Sequence, residues 1–229
     1  MSLTSSTGLA RMLNTSIDRQ RMKRTFLSNI RLQAYSAVIL LCPFVSLPED
    51  YKIGKRNILN LLFVKLGWFW TTVLLLPMIF SGIRSNDREG VARSIFRVIL
   101  GSFLWFISVN TFEILDALTG FDISGHTFLL IFSNLLISSE LELSKGARFS
   151  ARCLEEGDNL LSEKHQQKVT MAAKALTFLW DFMFIQTALY YHTFIQKFIA
   201  AIWAFSAWYL MHVTFYHQTA KPETIRKSN

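Results

Sequence analysis

The chain has 229 residues, of which 51% are hydrophobic, 14% aromatic and 17% charged, with a net charge of +8. A soluble domain carries about 25% charged residues, so the composition excludes a stand-alone water-soluble enzyme and a disordered chain. Six spans of about 20 residues would use about 120 positions, roughly half of the sequence, which points to one membrane-embedded body. The positive charge then belongs to basic loops beside a membrane, and no basic module of domain size is left to bind nucleic acid.

The elements follow in chain order. A polar, basic tail, 1–28, has no apolar core before a small-residue cleavage site, so the first span would serve as an uncleaved anchor. Apolar stretches then run over roughly 30–48, 57–81, 95–115, 124–143, 170–191 and 197–216, and a tail, 218–229, ends the chain. The fourth stretch is the weakest, because Ser133, Asn134, Ser138 and Ser139 interrupt it. The runs are too long and too uniform for strands, and in lipid each must close its own backbone hydrogen bonds. The expected fold is an all-α membrane protein, a six-span transmembrane helix bundle over 29–217. The only sizeable polar insert, 145–169, mixes both signs of charge and reads as a solvated helical extension.

Orientation follows from the basic residues. The N-terminal tail, the 82–97 loop, the 144–174 segment and the C-terminal tail hold 19 Lys and Arg, and the opposite side holds five: Lys52, Lys55, Arg56, Lys65 and Lys197. Both termini are therefore expected in the cytosol, where the sequon Asn14–Ser16 would stay unglycosylated. Cys42 and Cys153 form neither a zinc spacing nor a disulfide framework. The terminal Arg226-Lys227-Ser228-Asn229 has the look of a dilysine-type retrieval signal.

This topology sorts the five histidines. His165, His212 and His217 fall on the cytosolic side, whereas His126 opens the fourth span and His192 closes the fifth, both at the lumenal surface. Two imidazoles at one level of a bundle suffice for a shared site. Ser124 and Gly125 precede His126, and a small pair at a helix start exposes backbone N–H groups to an anion. His126 is placed to donate a proton to a phosphate oxygen, and His192 to act as nucleophile or base. The bland alternative is two interfacial polar residues.

Three stretches carry a family resemblance: FVKLGWFWT at 63–71, LTGFDISGH at 118–126 and ALYYHTFIQKF at 188–198. Together they resemble the fat storage-inducing transmembrane (FIT) family, which is similar to lipid phosphate phosphatases. The resemblance implies a multi-pass protein of the endoplasmic reticulum membrane that supports lipid-droplet formation. It also implies a fatty acyl-CoA diphosphatase, cleaving the CoA pyrophosphate on the lumenal side to acyl phosphopantetheine and adenosine bisphosphate. The family histidines correspond to His126 and His192. By analogy with lipid phosphatases, His192 would attack phosphorus and His126 would protonate the leaving oxygen, a scheme that needs no metal and no cofactor. The chain departs from those phosphatases in lacking their Lys-x6-Arg-Pro motif and the Arg and Asp beside the nucleophile; position 196 is Gln. Phosphate charge would fall to Lys197, close to His192, or to Lys52, Lys55 and Arg56, with Ser124 and Gly125 offering backbone N–H groups.

Two charges lie inside the bilayer by this count: Lys65 about 12 Å and Asp181 about 16 Å below the lumenal surface. An unpaired charge there costs at least about 2.5–3.5 kcal/mol, so Lys65 is expected to pair with Asp181 or Glu113, or to face substrate. Asp122, four residues before His126, would orient one of the imidazoles or cap a helix. Beside the enzyme stands a second function, a non-enzymatic binder that partitions diacylglycerol or triacylglycerol into droplets. A third, a transporter, has no inverted repeats behind it.

Overall fold

The computed structural model describes residues 30–45, 66–81, 88–153 and 160–216. Among these the protein is all-helical, in the order α1 (Ile30–Phe44, its last turn a 3-10 turn from Cys42), α2 (Gly67–Ser81), α3 (Arg88–Thr119), α4 (Gly125–Cys153), α5 (Leu160–Tyr190) and α6 (Phe194–Met211). A π turn, His212–Tyr216, continues α6. Among the described residues, two segments are long and apolar enough to cross a membrane, Ile95–Thr119 in α3 and Phe194–Thr214 in α6. The polar insert between the fourth and fifth apolar stretches is largely helix: α4 continues to Cys153 and α5 starts at Leu160.

The bundle is built around α4. Every residue from Thr127 to Ile137 is buried, and α2, α5 and α6 pack against it on different sides. The outer helices turn large apolar side chains outward instead, among them Phe106 and Leu118 on α3, Phe178 on α5 and Ile202 on α6. Apolar outside and partly polar inside is the arrangement that a lipid solvent selects.

Small residues set the helix spacing. On α6, Ala200, Ala201, Ala204 and Ala207 are buried, and that stripe lets the α6 backbone approach α4 closely. A Cβ at Gly67 would stand 2.6 Å from Leu129 Cδ2, so the start of α2 also abuts α4. Ala204 is fully buried. Ala204→Leu is expected to overpack this contact and cost about 2 kcal/mol, read as a lower midpoint of unfolding in detergent. Ile202→Leu, on the outer face of the same helix, should leave that midpoint unchanged.

Aromatic rings run between the helices. Trp105 stacks on Trp68 at 5.7 Å, Trp68 on Phe132 at 5.7 Å and Phe132 on Phe128 at 5.4 Å; Phe128 then meets Phe112 edge-on at 5.5 Å, and Phe112 meets Trp203 at 5.7 Å. The indole N–H groups find serines on neighbouring helices: Trp68 donates to Ser102, Trp203 to Ser108 and Trp208 to Ser139. Each pair satisfies a donor that lipid could not.

Several polar residues between the helices meet in a hub. Asp181 on α5 accepts hydrogen bonds from Tyr35 Oη on α1 and Asn134 Nδ2 on α4, both at 2.6 Å, and Arg31 stands 3.5 Å away. Asn134 also donates to Tyr35 Oη and to the Thr177 carbonyl. Asp181 thus finds a counter-charge on α1, in Arg31, where Lys65 was the sequence-based expectation. Lys65 itself lies outside the described residues. A second ion pair, Arg97–Glu140 at 3.4 Å, joins α3 to the middle of α4.

Candidate active site

The site is built where α4 begins and α5 ends. Gly120, with φ at 66°, terminates α3, and its N–H returns to the Asp116 carbonyl at 2.8 Å. That left-handed conformation suits glycine. The chain then runs through Phe121–Ser124 into α4. Ser124 is fully buried; its hydroxyl accepts the Thr127 N–H at 3.3 Å and pairs with the Thr127 hydroxyl at 2.8 Å. It is therefore the N-cap of α4. Gly125 is the first residue of the helix, and a Cβ there would meet nothing within 4 Å. His126, half-buried, is the second.

The opposing wall is the turn between α5 and α6. His192 sits in it with φ at 59°, the one described non-glycine residue in the left-handed region. A side chain there costs roughly 1–2 kcal/mol, so the surroundings must hold it. Three contacts do so. The Tyr191 N–H closes α5 on the Thr187 carbonyl at 3.2 Å. Thr193 and Gln196 form a capping box at the start of α6, with the Thr193 N–H donating to Gln196 Oε1 at 2.8 Å. Lys197, almost fully buried, donates from Nζ to the Ala188 carbonyl at 2.5 Å, which ties the first turn of α6 to the last turn of α5.

The two walls meet through side chains. His192 Nδ1 lies 3.6 Å from Asp122 Oδ2. Asp122 therefore faces His192, and the capping of α4 falls to Ser124. Since Asp122 precedes His126 by four residues, both histidines belong to the same end of the bundle. The lysine nearest His192 in sequence, Lys197, directs its ammonium at a helix C-terminus, a favourable place for a cation. Lys52, Lys55, Arg56 and Lys65 lie outside the described residues. Sequence reasoning missed Thr127, the buried partner of Ser124, and the left-handed backbone of His192.

The arrangement offers two imidazoles, a carboxylate beside one of them, and an open position at the first residue of α4. That is equipment for transferring a phosphoryl group through a nitrogen nucleophile with a second imidazole as acid.

Comparison with known proteins bears on the same segment. The profile of the family described as fat storage-inducing transmembrane protein matches residues 48–118 and 116–212, and the second match encloses both histidines. The chain is 30% identical over 220 residues to acyl-coenzyme A diphosphatase FITM2 of Xenopus tropicalis, covering 80% of this chain and 78% of that one. It is 30% identical over 209 residues to the protein of that name in Homo sapiens, with 77% of each covered, and 26% identical over 206 residues to that of Danio rerio, with 76% and 78% covered. No solved structure matches. With most of its length matched and the residues of the histidine-bearing end inside that match, the chain belongs to the fat storage-inducing transmembrane protein family.

Proposed function

We propose that this protein is a fatty acyl-CoA diphosphatase that hydrolyses the CoA pyrophosphate, giving acyl phosphopantetheine and adenosine bisphosphate, with His192 as nucleophile and His126 as acid and base. One observation carries the reading. The segment 116–212, matched to the family whose relatives bear the diphosphatase name, begins beside Asp122 and His126 and runs through His192, and Asp122 and His192 stand 3.6 Å apart.

The chemistry closes in two steps. A lone pair on the His192 imidazole attacks one phosphorus of the pyrophosphate, a P–N bond forms, and the bridging P–O bond breaks. The leaving phosphate oxygen takes a proton from His126. Water then attacks the phosphohistidine while His126 takes its proton back, which returns His192 neutral and releases the second phosphate. Ser124 and Gly125 contribute through the N-terminal N–H groups of α4, which favour an anion. Lys65 remains a proposed phosphate or substrate contact. Lys197 serves this end of the bundle by fixing the turn, and its charge adds to the field that the phosphates meet.

The membrane setting belongs to the same proposal. The split of 19 basic residues against five supports a six-span protein of the endoplasmic reticulum membrane with both termini in the cytosol and the histidines at the lumenal face. Acyl-CoA presents its acyl chain to the bilayer and its pyrophosphate to the interface, the depth of the α4 start. Support of lipid-droplet formation follows from clearing acyl-CoA at that membrane. Diacylglycerol and triacylglycerol binding is the second reading. It is favoured by the aromatic-rich bundle, whose outer helices expose large apolar side chains such as Phe106 and Phe178.

The test is release of adenosine bisphosphate from oleoyl-CoA by the purified, detergent-solubilised chain. His126→Ala is expected to lower kcat by about 10²–10⁴-fold, the range of a lost general acid. Equal rates for the wild type and the variant would overturn the enzyme reading for this substrate and leave neutral-lipid binding in its place.

A further inference from the structure

We infer that Asp122 is the positioning residue for His192. It holds the imidazole by Nδ1, so that Nε2 carries the lone pair that attacks phosphorus, and it offsets the positive charge that the ring acquires as the P–N bond forms. The inference rests on the diphosphatase reading of this site and adds a third residue to it.

The observations behind it are the two backbones and the contact between them. Asp122 has a largely exposed side chain, yet its backbone is fixed on both sides. The Phe121 N–H donates to Thr119 Oγ1 at 3.2 Å, Ile123 is buried, and Ser124 is locked into the α4 cap. His192 is held in the left-handed region by the capping box and by the Lys197 tie to Ala188. Neither side chain therefore reaches the other through a mobile segment. Each projects from an anchored turn, and they meet at 3.6 Å.

That distance is slightly long for a hydrogen bond and is within ion-pair range. Catalytic hydrogen bonds in empty sites are often long and tighten when substrate binds. The nitrogen that faces the carboxylate is also the informative one. In the neutral ring one nitrogen donates and the other accepts. A carboxylate beside Nδ1 selects the tautomer with the proton on Nδ1, which leaves Nε2 as the free base. When Nε2 bonds to phosphorus, the ring keeps its Nδ1 proton and becomes cationic, and the carboxylate then faces a full charge. Its stabilisation is larger in the transition state than in the ground state, so the loss is expected in kcat. Gln196, the polar residue four positions after His192, is already engaged in the capping box.

The experiment compares wild type, His192→Ala, Asp122→Asn and Asp122→Glu as full-length purified chains hydrolysing oleoyl-CoA, with the unfolding midpoint of each. Asp122→Asn should lower kcat by about 10²-fold with KM changed by less than about 2-fold, the signature of an interaction made only in the transition state. The midpoint should not move. Asp122→Glu should recover about tenfold of the loss, because it restores the carboxylate that a structural role for the aspartate would not need. Asp122→Asn within about threefold of wild type, while His192→Ala is inactive, would overturn this inference and leave the diphosphatase site standing. A loss confined to KM, or one that follows a lowered midpoint without recovery in Asp122→Glu, would overturn it too. Wild type and His192→Ala turning over at the same rate would remove the site itself, and this residue's role with it.

Discussion

His192→Ala and His192→Gly should both lose turnover of oleoyl-CoA by about 10³-fold or more, as expected for removal of a nucleophile, but they should not be equally stable. The backbone at 192 has φ of 59°. Alanine carries its Cβ into the left-handed region at roughly 1–2 kcal/mol, and glycine enters it without that penalty. The greater freedom of glycine in the unfolded chain offsets part of the difference, about 0.5–1 kcal/mol. The Gly variant is therefore expected to unfold about 0.5–1 kcal/mol later than the Ala variant. Activity and thermal unfolding measured on the same preparations check both halves. Identical midpoints would show that the turn relaxes around residue 192, and the capping box and the Lys197 tie would then not impose its conformation. The wild type keeps a residue that is costly there because an imidazole, projected from that backbone, reaches Asp122.

The largest loss of stability is expected at the polar hub. Asp181→Ala removes the acceptor for Tyr35 and Asn134 and the counter-charge of Arg31. The two hydrogen bonds alone would account for only about 1.2 kcal/mol, since interhelical bonds in membranes average about 0.6 kcal/mol each. The ionic part decides the size: a charged side chain without its partner at mid-bilayer costs about 2.5–3.5 kcal/mol. Asp181→Ala is expected to destabilise by about 3 kcal/mol in total, because snorkelling of Arg31 toward the interface recovers part of that sum. Asp181→Asn keeps an acceptor for Tyr35 and should cost about half as much. Adding Arg31→Leu to Asp181→Ala should return about 1–2 kcal/mol, the coupling expected of neighbours that share a charge. Unfolding in mixed micelles compares these three variants with the wild type. A wild-type midpoint for Asp181→Ala would mean that the hub contributes nothing to stability.

Some of this was legible in the sequence, and the reasons differ by residue. The helical character of the chain is carried by long apolar runs, and α3 and α6 stand out because their faces are apolar toward the surroundings. α4 reads as the weakest stretch and is the most buried helix. Hydropathy reports suitability for lipid, and Ser133 and Asn134 are sheltered from lipid by α2, α5 and α6. That Asp181 needs a partner could be read from its apolar surroundings, but which residues supply it could not. Tyr35 and Asn134 are 146 and 47 residues away in sequence, and no periodicity links helices across such distances. Arg31 lies at the start of the first apolar stretch, and on α1 it stands one helical turn before Tyr35. In the site, the motif residues His126 and His192 carried the family resemblance. Asp122 was readable only as a carboxylate near an imidazole; the fold decides that the imidazole is His192. Proximity to His192 in sequence suggests Lys197 as a phosphate ligand, and it does not reveal that the ammonium donates to the Ala188 carbonyl in the last turn of α5. The left-handed turn at His192 leaves no trace in the sequence, because glycine is the usual marker of such a turn and none is there.

The burial of α4 also has a consequence for how the chain is made. Two of its three main walls, α5 and α6, are synthesised after it. The ribosome reaches the end of α6 about 60 residues after Cys153, which at about 5–20 residues per second is on the order of 3–12 s. During those seconds the helix that carries His126 has only α1–α3 for company, with Ser133 and Asn134 lacking the cover that they have in the finished bundle. Until then the burial of α4 is incomplete, because α5 and α6 supply much of its cover. A chain truncated before α5 would leave the faces of α4 that α5 and α6 cover without their partners, so the fold of the helix that carries His126 is completed only by sequence made after it.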